Sequence, residues 1–300
     1  MRNVTTDNLT DVFLGYFGEG TDPRLREILE SLSRHLHAFA RETRLTHDEW
    51  NTGLEFLRRT GRITTPERDE YVLLSDVLGL SSLIDMIHSP ANGTSSSVLG
   101  PFHVSDPPPR SMGSDMGEDS DDGELVLVAG RVLDTDGAPI AGATLDVWQT
   151  APNGLYSSQD SERHIHSFHA LFTTGEDGRY TFTTVRPVSY TVPSDGPVGD
   201  ILRATGRHPW RPSHLHYIVA APGFRTLVTE VFPDDDPYLD EDTVFGVRDD
   251  LVMHYERMAA DTFPDAGYAL SGRVDGDYLR VDFDLVLSRA SRASRESRRP

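Results

Sequence analysis

Residues 23–88 and the residues after 93 carry different hydrophobic rhythms. In PRLREILESLSRHLHAFARE, Leu25, Ile28, Leu29, Leu32 and Leu36 recur at the three-to-four-residue spacing of a helix with one apolar stripe. LTHDEWNTGLEFLRRTG follows, with Thr46 as a cap, Glu49 three positions on and Gly61 as a stop. The third segment, TPERDEYVLLSDVLGLSSLIDMIH, offers Thr65 as cap, Pro66 at the first helical position, and Leu73, Leu74, Val77, Leu78 and Leu80 as its apolar side chains. Three such helices bury their stripes against one another, against a second domain or against another subunit.

Beyond Gly93 the rhythm shortens. Glycine, proline and serine punctuate TSSSVLGPFHVSDPPPR, and SMGSDMGEDSDDGE adds six acidic residues; its spacing matches no EF-hand loop, so a solvated linker is expected. Short strand candidates come next: LVLVAGRVLD, ATLDVWQT, RYTFTTV, HLHYIVAAP and TLVTEVFP, with LRVDFDLVL alternating at a period of two near the end. No long helix separates them, which argues against a βαβ sheet and for a mainly β fold: an antiparallel β-sandwich behind a helical N-terminal third. The expected division is 1–92 helical, 93–124 linker, 125–287 sandwich and 288–300 a disordered tail, where five arginines stand among serines.

Composition narrows the chemistry. Three hundred residues with 37% hydrophobic content suffice for a substantial core. A formal charge of -20 opposes nucleic acid and anionic membranes, and no apolar run approaches the roughly 20 residues of a membrane span. Without a basic, apolar leader at Met1 the expectation is a cytoplasmic protein without membrane insertion. The absence of cysteine excludes disulfides, thiolate zinc sites and iron–sulfur clusters, so any metal is held by oxygen and nitrogen.

His214 and His216, in RPSHLHYIV, point to one face if the segment is a strand, while Leu215 points to the other. Taken alone, such a pair is as often incidental, and twelve histidines make chance pairs easy to find. Taken by themselves, Tyr156, in NGLYSSQD, reads as a surface-turn aromatic and Tyr190, in RPVSYTVPSDGPVG, as an aromatic plug in a proline-rich loop. Tyrosine is a demanding ligand: a phenol ionises near about pH 10, and a strong Lewis acid such as Fe(III) is needed to draw off its proton at neutrality. No GxSxG elbow or HExxH helix supports a hydrolase.

The surrounding text connects the four. LLSDVLGLSSLID, LGPFHV, GRVLDTDGAPIAGATLDVWQTAPNGLYSSQD, DGRYTFTTVRPVSYTVPSDGPVG and GRHPWRPSHLHYIVAAPGFRTLVTEVFPDDDPYLDEDTVFGVRDDLV together resemble the intradiol ring-cleavage dioxygenases, in their hydroxyquinol branch, over about residues 20–287. GRVLDTDGAPIAGATL by itself is also similar to turns of transthyretin-like binding modules without enzymatic activity.

The resemblance implies a non-haem Fe(III) centre, one per subunit, with Tyr156 and His214 equatorial and Tyr190 and His216 axial. It also implies a helical N-terminal domain that forms a homodimer interface, often around a phospholipid. The implied substrates are dioxygen and an aromatic diol or triol: hydroxyquinol giving 3-hydroxy-cis,cis-muconate or maleylacetate, with catechol or a chlorocatechol as the alternative. Tyr190 would accept a substrate proton, and Arg211 would stabilise negative charge as the ring is oxidised. The implied pocket comprises Leu80, the Asp85 region, Leu99, Gly100, Pro101, Phe102, Val192, Pro193 and Val244. Glu230 stands where catechol-cleaving relatives carry glutamine; a carboxylate there must be protonated or paired, with Arg211 as the candidate partner.

Overall fold

The computed structural model describes residues 3–65, 68–117 and 123–290. The expected Pro66 helix start, the middle of the acidic linker at 118–122 and the arginine-rich tail from 291 lie outside them. The chain divides into two compact units, one ending at Arg59 and the other beginning at Thr60.

The first unit holds α1 (Leu9–Leu14), α2 (Pro23–Thr43) and most of α3 (His47–Ile63). Asp22 caps α2 by accepting from Leu25 N at 2.8 Å, and Pro23 opens the first turn, where its missing N–H costs nothing. Thr46 and Glu49 form the expected reciprocal cap: Thr46 N donates to Glu49 Oε2 at 2.9 Å and Glu49 N to Thr46 Oγ1 at 3.3 Å. Gly61 does not end α3, which continues to Ile63. No residue of α2 is fully buried, and its stripe of Leu25, Ile28, Leu32, Leu36 and Phe39 lies about half exposed.

The second unit begins with α4 (Glu70–Val77) and α5 (Leu80–His88). The cap of α4 is Asp69, which accepts from Tyr71 N and Val72 N, and not Thr65; Thr65 instead bridges to Arg68. Gly79, at φ +75°, separates the two helices at a 73° bend. Among the described residues no single helix is long and apolar enough to cross a membrane.

Among the described residues, twelve strands and one more α-helix follow, besides short 3-10 turns: β1 (Leu125–Asp134), β2 (Thr144–Trp148), β3 (His169–Thr173), β4 (Arg179–Val185), β5 (Tyr190–Thr191), α6 (Pro197–Ala204), β6 (Trp210–Arg211), β7 (Leu215–Ala220), β8 (Leu227–Pro233), β9 (Val252–Met253), β10 (Glu256–Met258), β11 (Tyr278–Asp282) and β12 (Leu285–Leu287). One sheet runs β3-β2-β7-β8-β9; the other is built on β1 with β4, β10, β11 and β12; β5 and β6 form a separate pair. The sandwich is mixed: β1 pairs antiparallel with β4 but parallel with β11 and β12, and β8 is parallel to β9. Alternation in a sequence specifies which face is buried and leaves strand direction open.

LRVDFDLVL, expected as one strand, is two segments in a single register, Val126 opposite Leu279 and Val132 opposite Leu285. The interruption is at Phe283, whose carbonyl oxygen would lie 1.9 Å from a Cβ on Gly130. Between the sheets, Val126, Val128, Tyr180, Phe182, Leu279 and Val281 meet Leu145, Val147, Phe172, Leu215, Tyr217 and Val219.

Two polar stretches are more ordered than their composition predicts. Around the buried Met116, residues 113–116 pair with β4, Gly113 N to Thr181 O and Met116 N to Thr183 O at 2.8 Å, so part of the acidic linker covers a sheet edge. Residues 288–290, assigned to the tail, are held by Arg289 on Asp134 at 2.9 Å and by Ala290 N on Gly223 O. Gly130→Ala is expected to lower unfolding free energy by about 1–3 kcal/mol, since the added methyl must displace backbone; an unchanged urea midpoint would contradict this close approach.

Candidate metal centre

Leu215, Tyr217 and Val219 of β7 enter the core, so His216 faces the other side of the sheet, and His214, just before the strand, joins it there. In register across that face lie His169 of β3, Trp148 of β2, His216 of β7 and Glu230 of β8. Trp148 stacks on His216 with ring centroids 4.5 Å apart and planes 3° apart. Tyr156 is carried by a tight loop in which Gly154, at φ +79°, donates to Ala151 O and Tyr156 N donates to Gln159 Oε1. Tyr190 arrives on β5, paired with Arg211 on β6. Asp236 ties both approaches together, accepting from Ser189 Oγ at 2.7 Å and from Ser213 N and Oγ at 2.8 Å.

All four side chains converge. Tyr156 Oη lies 3.3 Å from Tyr190 Oη, 3.1 Å from His214 Nε2 and 2.9 Å from His216 Nε2, and the two Nε2 atoms are 3.0 Å apart. Donors bound at about 2 Å to one ion are separated by about 2.8–3.3 Å, so the set fits a single metal. His214 Nδ1 donates to Pro212 O at 2.8 Å, which fixes the tautomer that leaves Nε2 free as a ligand. His216 Nδ1 lies 3.5 Å from Glu230 Oε1, beyond a normal hydrogen bond.

The electrostatics agree with the geometry. Burial holds both imidazoles well below the ordinary histidine range, His214 further under the influence of Arg211 and His216 under that of His214, so their lone pairs are available at neutral pH. Burial pushes the Tyr156 phenol well up, with Tyr190 reinforcing it; burial raises Tyr190 too, although Arg211 pulls it down. Two buried phenols bind as phenolates only when a strong Lewis acid offsets that cost.

Arg211, 2% exposed, is the only positive side chain making hydrogen bonds to this cluster among the described residues. Its Nη1 is 3.3 Å from Tyr190 Oη and from His214 Nε2. Glu230 accepts from it twice, at 2.8 and 3.0 Å, and Asp242 twice, at 3.1 and 3.2 Å. Burial opposes the guanidinium charge, but Asp242 and Glu230 hold it ionised. Burial likewise raises Glu230, yet Arg211, His216 and Ser97 together outweigh it and the carboxyl stays below its ordinary value; Ser97 Oγ donates to it at 2.6 Å. Asp242 is not legible in the acidic run PDDDPYLDED, where nothing in composition separates the buried Asp236 and Asp242 from the other acidic residues.

Phe102 stacks on Tyr156 at 5.1 Å, and a Cβ on Gly100 would lie 3.9 Å from His216 Cε1. Val192 and Val244 are buried together with Val98, Leu73 and Val77; Pro101 and Pro193 are partly buried, and Leu99 is 42% exposed. Leu80 stands outside that cluster, 52% exposed, because the Gly79 bend sends α5 in another direction. Leu73 occupies the buried position instead. Asp85 is partly buried, whereas Asp76, on α4, is 3% exposed and within the field of Arg211, Glu230 and Asp242. Desolvation pushes both carboxyls up to about 6.

The family model described as Dioxygenase matches residues 98–288, and that of the catechol dioxygenase N terminus matches residues 22–95. The chain belongs to the intradiol ring-cleavage dioxygenases. The dioxygenase is 46% identical to the hydroxyquinol 1,2-dioxygenase of a Rhizobium species, over 89% of this chain and 90% of that protein. It is 42% identical to the 6-chlorohydroxyquinol 1,2-dioxygenase of Cupriavidus pinatubonensis, over 96% and 99%. The crystal structure of hydroxyquinol 1,2-dioxygenase from Pseudomonas putida superposes with a TM-score of 0.84 at 41% identity, covering 95% of this chain and 99% of that one. Catechol 1,2-dioxygenase from Acinetobacter gives 0.80 at 29% identity, covering 97% and 94%.

Arg211→Ala leaves Glu230 and Asp242 buried without a cation and is expected to cost the dioxygenase about 3–5 kcal/mol of stability, measured by denaturant unfolding. Asp76 gives a pH signature. Its folded value of about 6 exceeds the unfolded 3.8, so the folded state holds the extra proton and stability falls as pH rises through that window. Asp76→Asn should therefore gain stability over the parent by up to about 3 kcal/mol near neutrality, the gap closing toward about pH 4; a difference independent of pH would show that Asp76 ionises normally.

Proposed function

We propose that the dioxygenase catalyses Fe(III)-dependent intradiol cleavage of hydroxyquinol, with Tyr156, Tyr190, His214 and His216 holding one ferric ion. The observation that carries this reading is the convergence of two phenols and two neutral imidazoles within 2.9–3.3 Å beside a buried guanidinium. The preference for hydroxyquinol over catechol is supported by the names and the high coverage of the relatives at 46% and 42% identity. The reaction joins one hydroxyquinol and one dioxygen into 3-hydroxy-cis,cis-muconate, the enol form of maleylacetate, and retains both oxygen atoms.

A ferric ion held by Tyr156, Tyr190, His214 and His216 would supply Lewis acidity toward the hydroxyl oxygens of the substrate. Tyr190 accepts a substrate hydroxyl proton, and Arg211, within hydrogen-bond reach of Tyr190 Oη, remains charged beside it. The same guanidinium stabilises negative charge as the ring ketonises, in a setting dry enough to give that charge its full effect. Glu230 and Asp242 fix the guanidinium from two sides so that it need not reorganise during turnover. Gly100, Phe102, Val192, Pro193 and Val244 line the approach of a flat ring, joined by Leu73 and, as a polar group, by Asp76. Leu80, Leu99, Pro101 and Asp85 belong to its more open margin.

The helical N-terminal part, residues 1–92, is proposed to carry the homodimer interface around a phospholipid. What supports this is the half-exposed stripe Leu25, Ile28, Leu32, Leu36 and Phe39 along one side of α2.

Oxygen uptake measured in parallel with hydroxyquinol, catechol, 4-chlorocatechol and protocatechuate should rank hydroxyquinol first; faster turnover of catechol would refute the substrate assignment alone. Ferric loading should give a visible tyrosinate-to-iron absorption that Tyr156→Phe or Tyr190→Phe shifts or weakens. A ferric-loaded protein that stays colourless would remove the metal assignment. Leu32→Glu with Leu36→Glu should convert the dimer to monomer in light scattering, and a parent chain already monomeric would dismiss the interface.

A further inference from the structure

The face that presents His216 carries a second convergence of imidazole and carboxylate, one strand further along. Asp146 and Trp148 share a side of β2, and in the cross-strand row His169 and His216 flank Trp148 from β3 and β7. The indole is stacked on His216 and its centroid is 5.8 Å from the His169 ring, so it stands as a wall between two polar clusters. On the far side of that wall, Asp146 Oδ1 is 2.6 Å from His169 Nε2 and Asp146 Oδ2 is 2.9 Å from His103 Nε2. The side chains are 2% exposed at His169, 13% at Asp146 and 20% at His103. Buried enough to be ordered, they remain reachable from solvent.

We infer that His103, Asp146 and His169 form a second cation site, distinct from the Tyr156–His216 centre, that takes one divalent ion of the zinc type. Both histidines present Nε2 to one carboxylate, and one potential ligand atom from each of the three residues lies within 4.8 Å of the others, so small side-chain rotations close them on a common ion. A further donor stands beside the trio. His166, whose ring centroid is 5.7 Å from that of His169, has a buried Nδ1 without a hydrogen-bond partner. Two or three imidazoles and one carboxylate, without thiolate, are a ligand set that zinc or cobalt accepts with water completing the shell.

Such an ion has a structural consequence for the dioxygenase centre. His103 follows Phe102 directly, and Phe102 stacks on Tyr156. A cation gripping His103 together with Asp146 and His169 fastens the pocket-lining run 99–102 to the β2–β3 hairpin. Its binding then stabilises the folded state increasingly as the free ion concentration rises above its dissociation constant.

The test uses the iron-loaded protein, titrated with zinc chloride alone. The expected result is one zinc per chain beyond the iron, by elemental analysis after dialysis, with the tyrosinate-to-iron absorption unchanged and the thermal midpoint rising with zinc concentration. His103→Ala, His169→Ala and Asp146→Asn should each weaken zinc binding by about tenfold or more, while His47→Ala, on α3, should not. His103 is the most exposed of the three, so its variant tests the site even if His169→Ala fails to fold. Zinc uptake that is absent, that bleaches the iron absorption in proportion, or that persists unchanged in His103→Ala would overturn the proposal.

Discussion

The candidate metal centre depends on one buried cation of the chain itself. Arg211 is inserted between Glu230 on β8 and Asp242 in the loop beyond it, with two hydrogen bonds to each, and it is paired through β6 with the strand that carries Tyr190. A guanidinium taken out of water is tolerable only with such compensation, and its planar fork satisfies two carboxylates at fixed angles. Three segments distant in sequence are thereby brought to one place, and the phenol of Tyr190 is placed beside a permanent positive charge.

Around that charge the sheet acts as a rigid frame. β7 gives its alternate side chains to two environments: Leu215, Tyr217 and Val219 to the dry interior, His216 to the opposite face. The hydrophobic packing that fixes the register of β7 therefore also fixes His216, because a slip of one residue would exchange the faces. Trp148 and Glu230, its neighbours across the sheet, are set by the same register. The site's rigidity is thus inherited from the core, and the loops carrying Tyr156 and Tyr190 are closed onto it by local turns and by Asp236.

Where sequence and structure part, the reasons are local. α6 and β3 are not among the elements read from the sequence; α6 is short and capped from a distance, with Glu70 Oε1 accepting from Val198 N at 3.1 Å. Leu80 and Leu73 belong to one unbroken apolar pattern, and only the bend at Gly79 places Leu73 inside and leaves Leu80 half exposed. The acidic stretch before β1 reads as solvent-loving, yet Met116 gives it an anchor and the open edge of β4 gives its backbone partners.

The amino-acid sequence by itself determined the helical and sheet-forming regions, because periodicity reports which side chains must leave water. It also marked Tyr156, Tyr190, His214 and His216, since those residue types in those surrounding motifs are distinctive enough to carry a family resemblance. Tertiary structure alone decided that Asp242 shares Arg211 with Glu230, that Asp76 is the deeply buried acid near them, and that His169, Trp148, His216 and Glu230 form one row. Such facts are relations between strands and loops far apart along the chain. They arise only when long-range pairing and burial assign each polar group a partner, and no local pattern of residues encodes which partner that will be.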